Sequence, residues 1–130
     1  MTLVIARTIM YTVKRILVVE DDKNVQTLLK DELNDEGYII DTAANGKDAL
    51  NRLQGDEKPD LIILDLRMPR MDGLETMGHL LKSSLATPVV IHTAYPSYKN
   101  DVMAMAADAF VVKSHDLKKL KHVIHELIGE

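Results

Sequence analysis

From Lys14 onward, short apolar runs alternate with stretches in which apolar residues recur at intervals of three and four. RILVVE (15–20) is apolar and β-branched, the pattern of a strand buried on both faces. In KNVQTLLKDELNDEG, Val25, Leu28, Leu29 and Leu33 fall on one helical face, with Asp22 placed as N-cap and Gly37 as the stop. YIIDTA, LIILD, VVIHTA and AFVVK read as four further strands. Between them the pattern predicts a short helix at GKDALNRL, with Ala49, Leu50 and Leu53 inward, and another from 73 to about 83 carrying Leu74, Met77, Leu80 and Leu81. A third is expected from a Ser97 cap to about 106. The last follows an Asp116 cap, with Leu117, Leu120, Val123, Ile124, Leu127 and Ile128 as its buried stripe.

Five strand–helix units with near-continuous apolar strands predict an α/β domain, a parallel sheet covered on both faces. The length of 130 residues suits one core, and 46% hydrophobic with 28% charged residues argues against disorder. A net charge of −4 disfavours non-specific nucleic-acid binding. The absence of cysteine excludes disulfides and thiolate metal sites, so a reducing cytoplasm is compatible. No apolar run approaches the roughly 20 residues a membrane span needs.

In such sheets functional groups gather at the carboxyl ends of the strands. Those ends carry Glu20-Asp21-Asp22, Asp65, His92-Thr93-Ala94 and Lys113. Asp65 is the anomaly, because it closes the apolar run LIIL and an unpartnered buried carboxylate costs several kcal/mol. The expectation is that it lies exposed at a site rather than in the core. Carboxylates about 4 Å apart repel by roughly 4 kcal/mol at an effective dielectric near 20, and a divalent cation bound by oxygen ligands would relieve this.

The segments ILVVEDD, LIILDLRMPRMDG, HTA and FVVK occur in the order and spacing of a known family. From residue 15 to about 128 the chain resembles the receiver domain of bacterial two-component response regulators. That resemblance implies a flavodoxin-like doubly wound (βα)5 fold with strand order 2-1-3-4-5. It implies that Asp65 is the phospho-accepting nucleophile, and that Glu20, Asp21, Asp65 and the backbone carbonyl of Arg67 hold Mg²⁺ (or Mn²⁺), Glu20 through water. Lys113 would pair with phosphoryl oxygens, Thr93 would hydrogen-bond the phosphoryl group, and Phe110 would swing inward with Thr93. The implied phosphodonor is a sensor histidine kinase, a histidine phosphotransfer protein or a small acyl phosphate. Output would run through the face from strand four to the last helix of a cytoplasmic switch that catalyses only its own phosphorylation and dephosphorylation.

Several positions depart from the family or fall outside it. Ser114 follows Lys113 where most receivers carry a proline after a cis bond; a non-proline cis bond costs about 3 to 4 kcal/mol. The expectation is a trans bond with a shifted loop or a strained cis bond, with the placement of the lysine at stake. Ala106 stands where glycine is frequent. Arg67 and Tyr95 are bulky and flank the path of attacking water, which predicts slow self-dephosphorylation. His122 and His125 lack metal-clip spacing, and KKLKH (118–122) reads as a solvated face. Met103 and Met105 are expected to fill gaps. Residues 1–14 form an extension outside the receiver domain of 15–130. It reads as an added edge strand or a self-association element giving a homodimer, or else as an irregular leader, or as residues ahead of a true start at Met10. The expectation is of a single-domain regulator ending at Glu130 without a DNA-binding domain, and direct nucleic-acid binding by this chain is not expected.

A pseudo-receiver working without phosphorylation is the main alternative; the intact Glu20, Asp21, Asp65, Thr93 and Lys113 argue against it. An aspartyl-nucleophile phosphatase would want an acid two residues after the nucleophile, where Arg67 stands. A flavin- or nucleotide-binding domain would want a Gly-rich loop after the first strand, which is absent.

Overall fold

A computed structural model describes residues 13–68, 71–83 and 85–129. The N-terminal segment up to residue 12 lies outside the described residues, and with it the expectations for the extension. Five strands, β1 (Arg15–Val19), β2 (Ile39–Ala43), β3 (Leu61–Leu64), β4 (Val89–Thr93) and β5 (Ala109–Val112), form one parallel sheet in the order β2-β1-β3-β4-β5. The helices are α1 (Lys23–Asp35), α2 (Gly46–Leu53), α3 (Gly73–Lys82), α4 (Val102–Met105) and α5 (Lys118–Ile128). This is the expected doubly wound architecture.

The side-chain period of two in each strand divides the core. Ile16, Val18, Ile63 and Val90 face α1 and α5, packing on Leu29, Leu33, Leu120 and Ile124. Leu17, Val19, Ile62 and Leu64 face the other way, onto Ala49, Leu53, Met77 and Leu80. A smaller cluster of Leu66, Ile91 and Ala104, with Phe110 and Tyr98 against it, lies beside α4. No helix among the described residues is long and apolar enough to cross a membrane.

The caps explain most helix starts. Asp22 accepts N–H bonds from Asn24 and Val25, Asn45 from Asp48, and Asp72 from Glu75. Gly37, at φ +97°, takes the left-handed turn after α1 that a side chain would strain.

Four expectations need correction. The helix expected from Ser97 is a 3-10 helix, Pro96–Asn100, followed by the short α4. Asp101 is extended, at φ −73° and ψ 136°, so it breaks the run and caps α4 through Met103 N–H. Leu28, Leu81 and Leu127 are 45%, 51% and 37% exposed, because each helix buries a narrower stripe than its apolar pattern suggests. Met103 and Met105 fill no gap and are exposed. Asp116 sits one residue before the N-cap position of α5, which Leu117 occupies, yet its Oδ1 still accepts the Lys118 N–H at 2.9 Å. The Lys113–Ser114 bond is trans.

Gly73 fixes α3 to the end of β3. Its N–H donates to the Leu66 carbonyl at 2.9 Å. A Cβ there would overlap the Asp65 carbonyl oxygen and Leu66 Cα, both backbone atoms that cannot turn aside. Gly73→Ala is therefore expected to destabilise the fold by about 3 kcal/mol or more. Urea denaturation with an unchanged slope checks this; a shift under about 1 kcal/mol would mean that α3 moves off the strand end freely.

Candidate functional site

The strand ends are tied together beyond the sheet proper. Asp65 N–H donates to Val19 O at 3.0 Å, Glu20 N–H to Ala43 O at 2.9 Å, and Lys113 N–H to Thr93 O at 2.7 Å. These backbone bonds carry the side chains of Glu20, Asp65, Thr93 and Lys113 to one edge of the sheet.

Asp65 is not exposed as expected; it is 6% accessible. What resolves the anomaly is partners rather than solvent. Its Oδ1 accepts the Leu66 N–H at 2.8 Å, and its Oδ2 accepts from Lys113 Nζ at 3.1 Å. The same ammonium lies 2.6 Å from Glu20 Oε1, so one cation bridges two carboxylates. The trans bond to Ser114 thus leaves Lys113 in reach of both.

Glu20 is 2% exposed and Asp21 is open to solvent. One carboxylate oxygen from each of Glu20, Asp21 and Asp65 falls in a group within 4.8 Å of one another. Burial pushes the Glu20 carboxyl up to about 7, with the charge of Asp65 adding, against Lys113 and the Asp22 N–H, which pull it down. Burial works against the Lys113 charge too, but Glu20 and Asp65 outweigh it and hold the ammonium above its ordinary value. Glu20 Oε1 is buried and makes no well-angled hydrogen bond, despite the nearby ammonium. An all-oxygen donor set with an under-satisfied carboxylate oxygen fits a hard divalent cation.

Thr93 is fully buried, and its Oγ1 accepts the Tyr95 N–H at 3.3 Å. Phe110 is half-buried against Leu66 and Ile91. Arg67 and Tyr95, named separately in the sequence, meet: the guanidinium carbon lies 4.6 Å from the Tyr95 ring centroid. Tyr98 stands edge-on to Tyr95 at 6.2 Å. Together with Asp21, Leu66 and Asp72 they border a cavity of about 370 Å³.

Sequence reasoning missed Gln26, whose side-chain amide donates to the Glu20 carbonyl from the first turn of α1, and it missed Tyr98. Gln26 lies four residues after the Asp22 cap, the one signal that pointed to it. The histidine pair stays away from the site, with His122 Nε2 2.6 Å from Glu126 on the surface of α5. The expected solvated face at 118–122 is interrupted by buried Leu120 and by Lys121, which bridges to Glu32 and Glu36 of α1 at 2.9 and 3.5 Å.

Known proteins resemble this chain in sequence and in fold. The Thermotoga maritima response regulator TrrA, in a crystal structure with Mg²⁺ and BeF, aligns at TM-score 0.84 and 44% identity over 88% of this chain and 99% of that one. A crystal structure of the histidine kinase ThkA with TrrA aligns at TM-score 0.82 and 44% identity over 88% of this chain and 98% of that one. The regulatory protein AtoC of Escherichia coli is 34% identical over 121 residues, 92% of this chain and 26% of AtoC. The regulator PhoP of Bacillus subtilis is 37% identical over 102 residues, 77% of this chain and 42% of PhoP. The chain thus spans less than half the length of either relative. The family model described as the response regulator receiver domain matches residues 16–125, and the chain belongs to that family.

Proposed function

We propose that the chain is a phosphorylation-controlled signalling switch in which Asp65 accepts a phosphoryl group from a sensor histidine kinase, a histidine phosphotransfer protein or a small acyl phosphate. The observation that carries this is the Asp65 carboxylate at the end of β3, 3.1 Å from Lys113 Nζ and clustered with the Glu20 and Asp21 carboxylates. The complexes of TrrA with Mg²⁺–BeF and with ThkA support the reading.

In the transfer an Asp65 oxygen bonds to phosphorus as the P–N bond to the donor imidazole breaks, and the leaving imidazole keeps that electron pair and takes a proton. The Leu66 N–H fixes the roll of the Asp65 carboxylate. Lys113 pairs with the oxygens of the arriving group, and the Thr93 hydroxyl donates to one of them. Because Thr93 Oγ1 also holds the Tyr95 N–H, its movement pulls on the loop after β4. Phe110, which already rests half-buried against Leu66 and Ile91, swings further inward with it, which changes the face from β4 to α5 offered to a partner. Asp21, Asp65, the Arg67 backbone carbonyl and, through water, Glu20 would hold Mg²⁺ or Mn²⁺, which supplies neutralisation of the charge gathered between the acids and the phosphoryl group. The Arg67–Tyr95 stack borders the same cavity as Asp21, and on this reading its bulk retards water attack on the phosphoaspartate.

Intact mass after incubation with acetyl phosphate and Mg²⁺ is expected to show one added phosphoryl group, absent without metal and absent in Asp65→Asn. A folded wild type that takes no phosphoryl group from acetyl phosphate or from a phosphorylated kinase would leave a pseudo-receiver.

Removing the stack with Arg67→Ala and Tyr95→Ala together is expected to shorten the phosphoaspartate half-life about tenfold, about 1.4 kcal/mol in barrier. Decay of the phosphorylated mass measures it, and an unchanged half-life defeats the shielding role.

The Glu20 carboxyl, raised to about 7 in the folded chain, contributes stability that is present below its unfolded value and lost as pH rises through about 7. Buried His92, lowered to about 4, acts in the opposite sense and loses stability as pH falls. Relative to Glu20→Gln, the metal-free wild type is therefore expected to lose melting temperature from about pH 5 to about pH 7.5. Added Mg²⁺ should raise the wild-type melting temperature more at the upper end of that range than at the lower. A pH-independent difference between the two proteins would contradict the raised Glu20.

A further inference from the structure

β1 and β2 pair with a fixed offset. Ile39 N–H donates to Lys14 O, and steps of two residues carry that pattern up to Asn45 N–H and Glu20 O. β2 ends at Ala43, however, and Asn45 turns away as the N-cap of α2. The donor that reaches Glu20 O instead is the side-chain amide of Gln26, half-buried on α1. Gln26 also donates its backbone N–H to Asp22 O at 2.9 Å, so this residue grips the acidic loop at both carbonyls.

Holding the Glu20 carbonyl also orients Asp21, because that carbonyl and the Asp21 N–H lie in the same rigid peptide plane. Glu20 is fixed on every side: its N–H donates to Ala43 O, its Oε2 accepts the Asp22 N–H at 3.1 Å, and its carbonyl accepts from Gln26. Asp21 itself is exposed, so its backbone rather than its packing decides where its carboxylate points. That carboxylate falls in one group with those of Glu20 and Asp65. Mg²⁺ tolerates little error in donor direction, since it demands near-ideal octahedral geometry. An amide suits the position because it donates without charge: it fixes the carbonyl and adds no repulsion toward a cation.

We propose that Gln26 is a positioning residue for the divalent cation, acting through the Glu20 carbonyl to aim Asp21. The inference rests on the reading of Glu20, Asp21 and Asp65 as a cation site, and it adds that the affinity of this site is set in part from α1.

Titration with Mn²⁺, followed by the electron paramagnetic resonance signal of the free ion, tests it without any phosphodonor. The wild type is expected to bind Mn²⁺ saturably. Gln26→Met keeps the length and helix propensity of the side chain and loses the donor. It should bind Mn²⁺ about tenfold more weakly, the scale of loss when a group that orients a metal ligand is removed. Gln26→Glu sets an ionised carboxylate against the Glu20 carbonyl and should also bind more weakly, although its charge alone would draw the cation in. Modification of Gln26→Met by acetyl phosphate should slow at low Mg²⁺ and recover as Mg²⁺ saturates. Unchanged Mn²⁺ affinity in Gln26→Met, whatever its metal-free melting temperature, or tighter binding by Gln26→Glu, would overturn the inference and leave the cation site in place. A wild type that binds Mn²⁺ no better than Asp21→Asn would overturn the cation site itself, and this inference with it.

Discussion

The arrangement at the sheet edge depends on one ammonium group. Glu20 and Asp65 are buried on adjacent strands, and two ionised carboxylates at such range repel by roughly 4 kcal/mol at an effective dielectric near 20. Lys113 answers both, at 2.6 and 3.1 Å, from an edge strand that does not pair with either of theirs. The register of β5 therefore matters well beyond its own packing. Its Lys113 N–H bond to Thr93 O sets how far the lysine reaches, and the same bond ties it to the residue proposed to sense the phosphoryl group. Under the proposed function, a new dianion on Asp65 would compete with Glu20 for this one cation, and a local charge would become a change in strand-end geometry.

Chemistry is confined to one end of the sheet because its three central strands, β1, β3 and β4, are buried on both faces. The two main clusters on opposite faces leave no room for polar groups along the strands except where a residue stands at a strand end or faces a cavity. Gly73 shows the tolerance involved: backbone of β3 and helix α3 touch where a single carbon would intrude, so the loop that carries Arg67 is held from both sides.

Much of this was legible in the sequence, for physical reasons. Apolar runs such as LIIL and VVI have no competing helical period, and the caps at Asp22 and Gly37 are local, so strands and the first helix could be placed from neighbours alone. The strand-end acids and Lys113 followed from the rule that loops after parallel strands share one edge. What escaped depends on distances between elements. Leu28 and Leu29 differ in burial because the packing angle of α1 favours one of two adjacent apolar positions. The helix expected at Ser97 fails because Pro96 and the extended Asp101 confine the segment to a 3-10 turn. Asp65 was expected in solvent because a carboxylate was assumed to need water, whereas an ammonium from a strand 48 residues later satisfies it. The stacking of Arg67 on Tyr95 joins two loops that sequence treats as unrelated.

The strand order also governs the birth of the chain. β1 pairs with β2 on one side and with β3 on the other, so a nascent polypeptide that has completed β1, α1 and β2 can close only half of its most apolar strand. The other edge, from Ile16 to Val19, keeps its backbone donors and acceptors unpaired until Leu61–Leu64 have left the ribosome. For that interval the growing chain presents a sticky, flat template of the kind that nucleates misassembly, and it is the arrival of the segment leading to Asp65 that seals it.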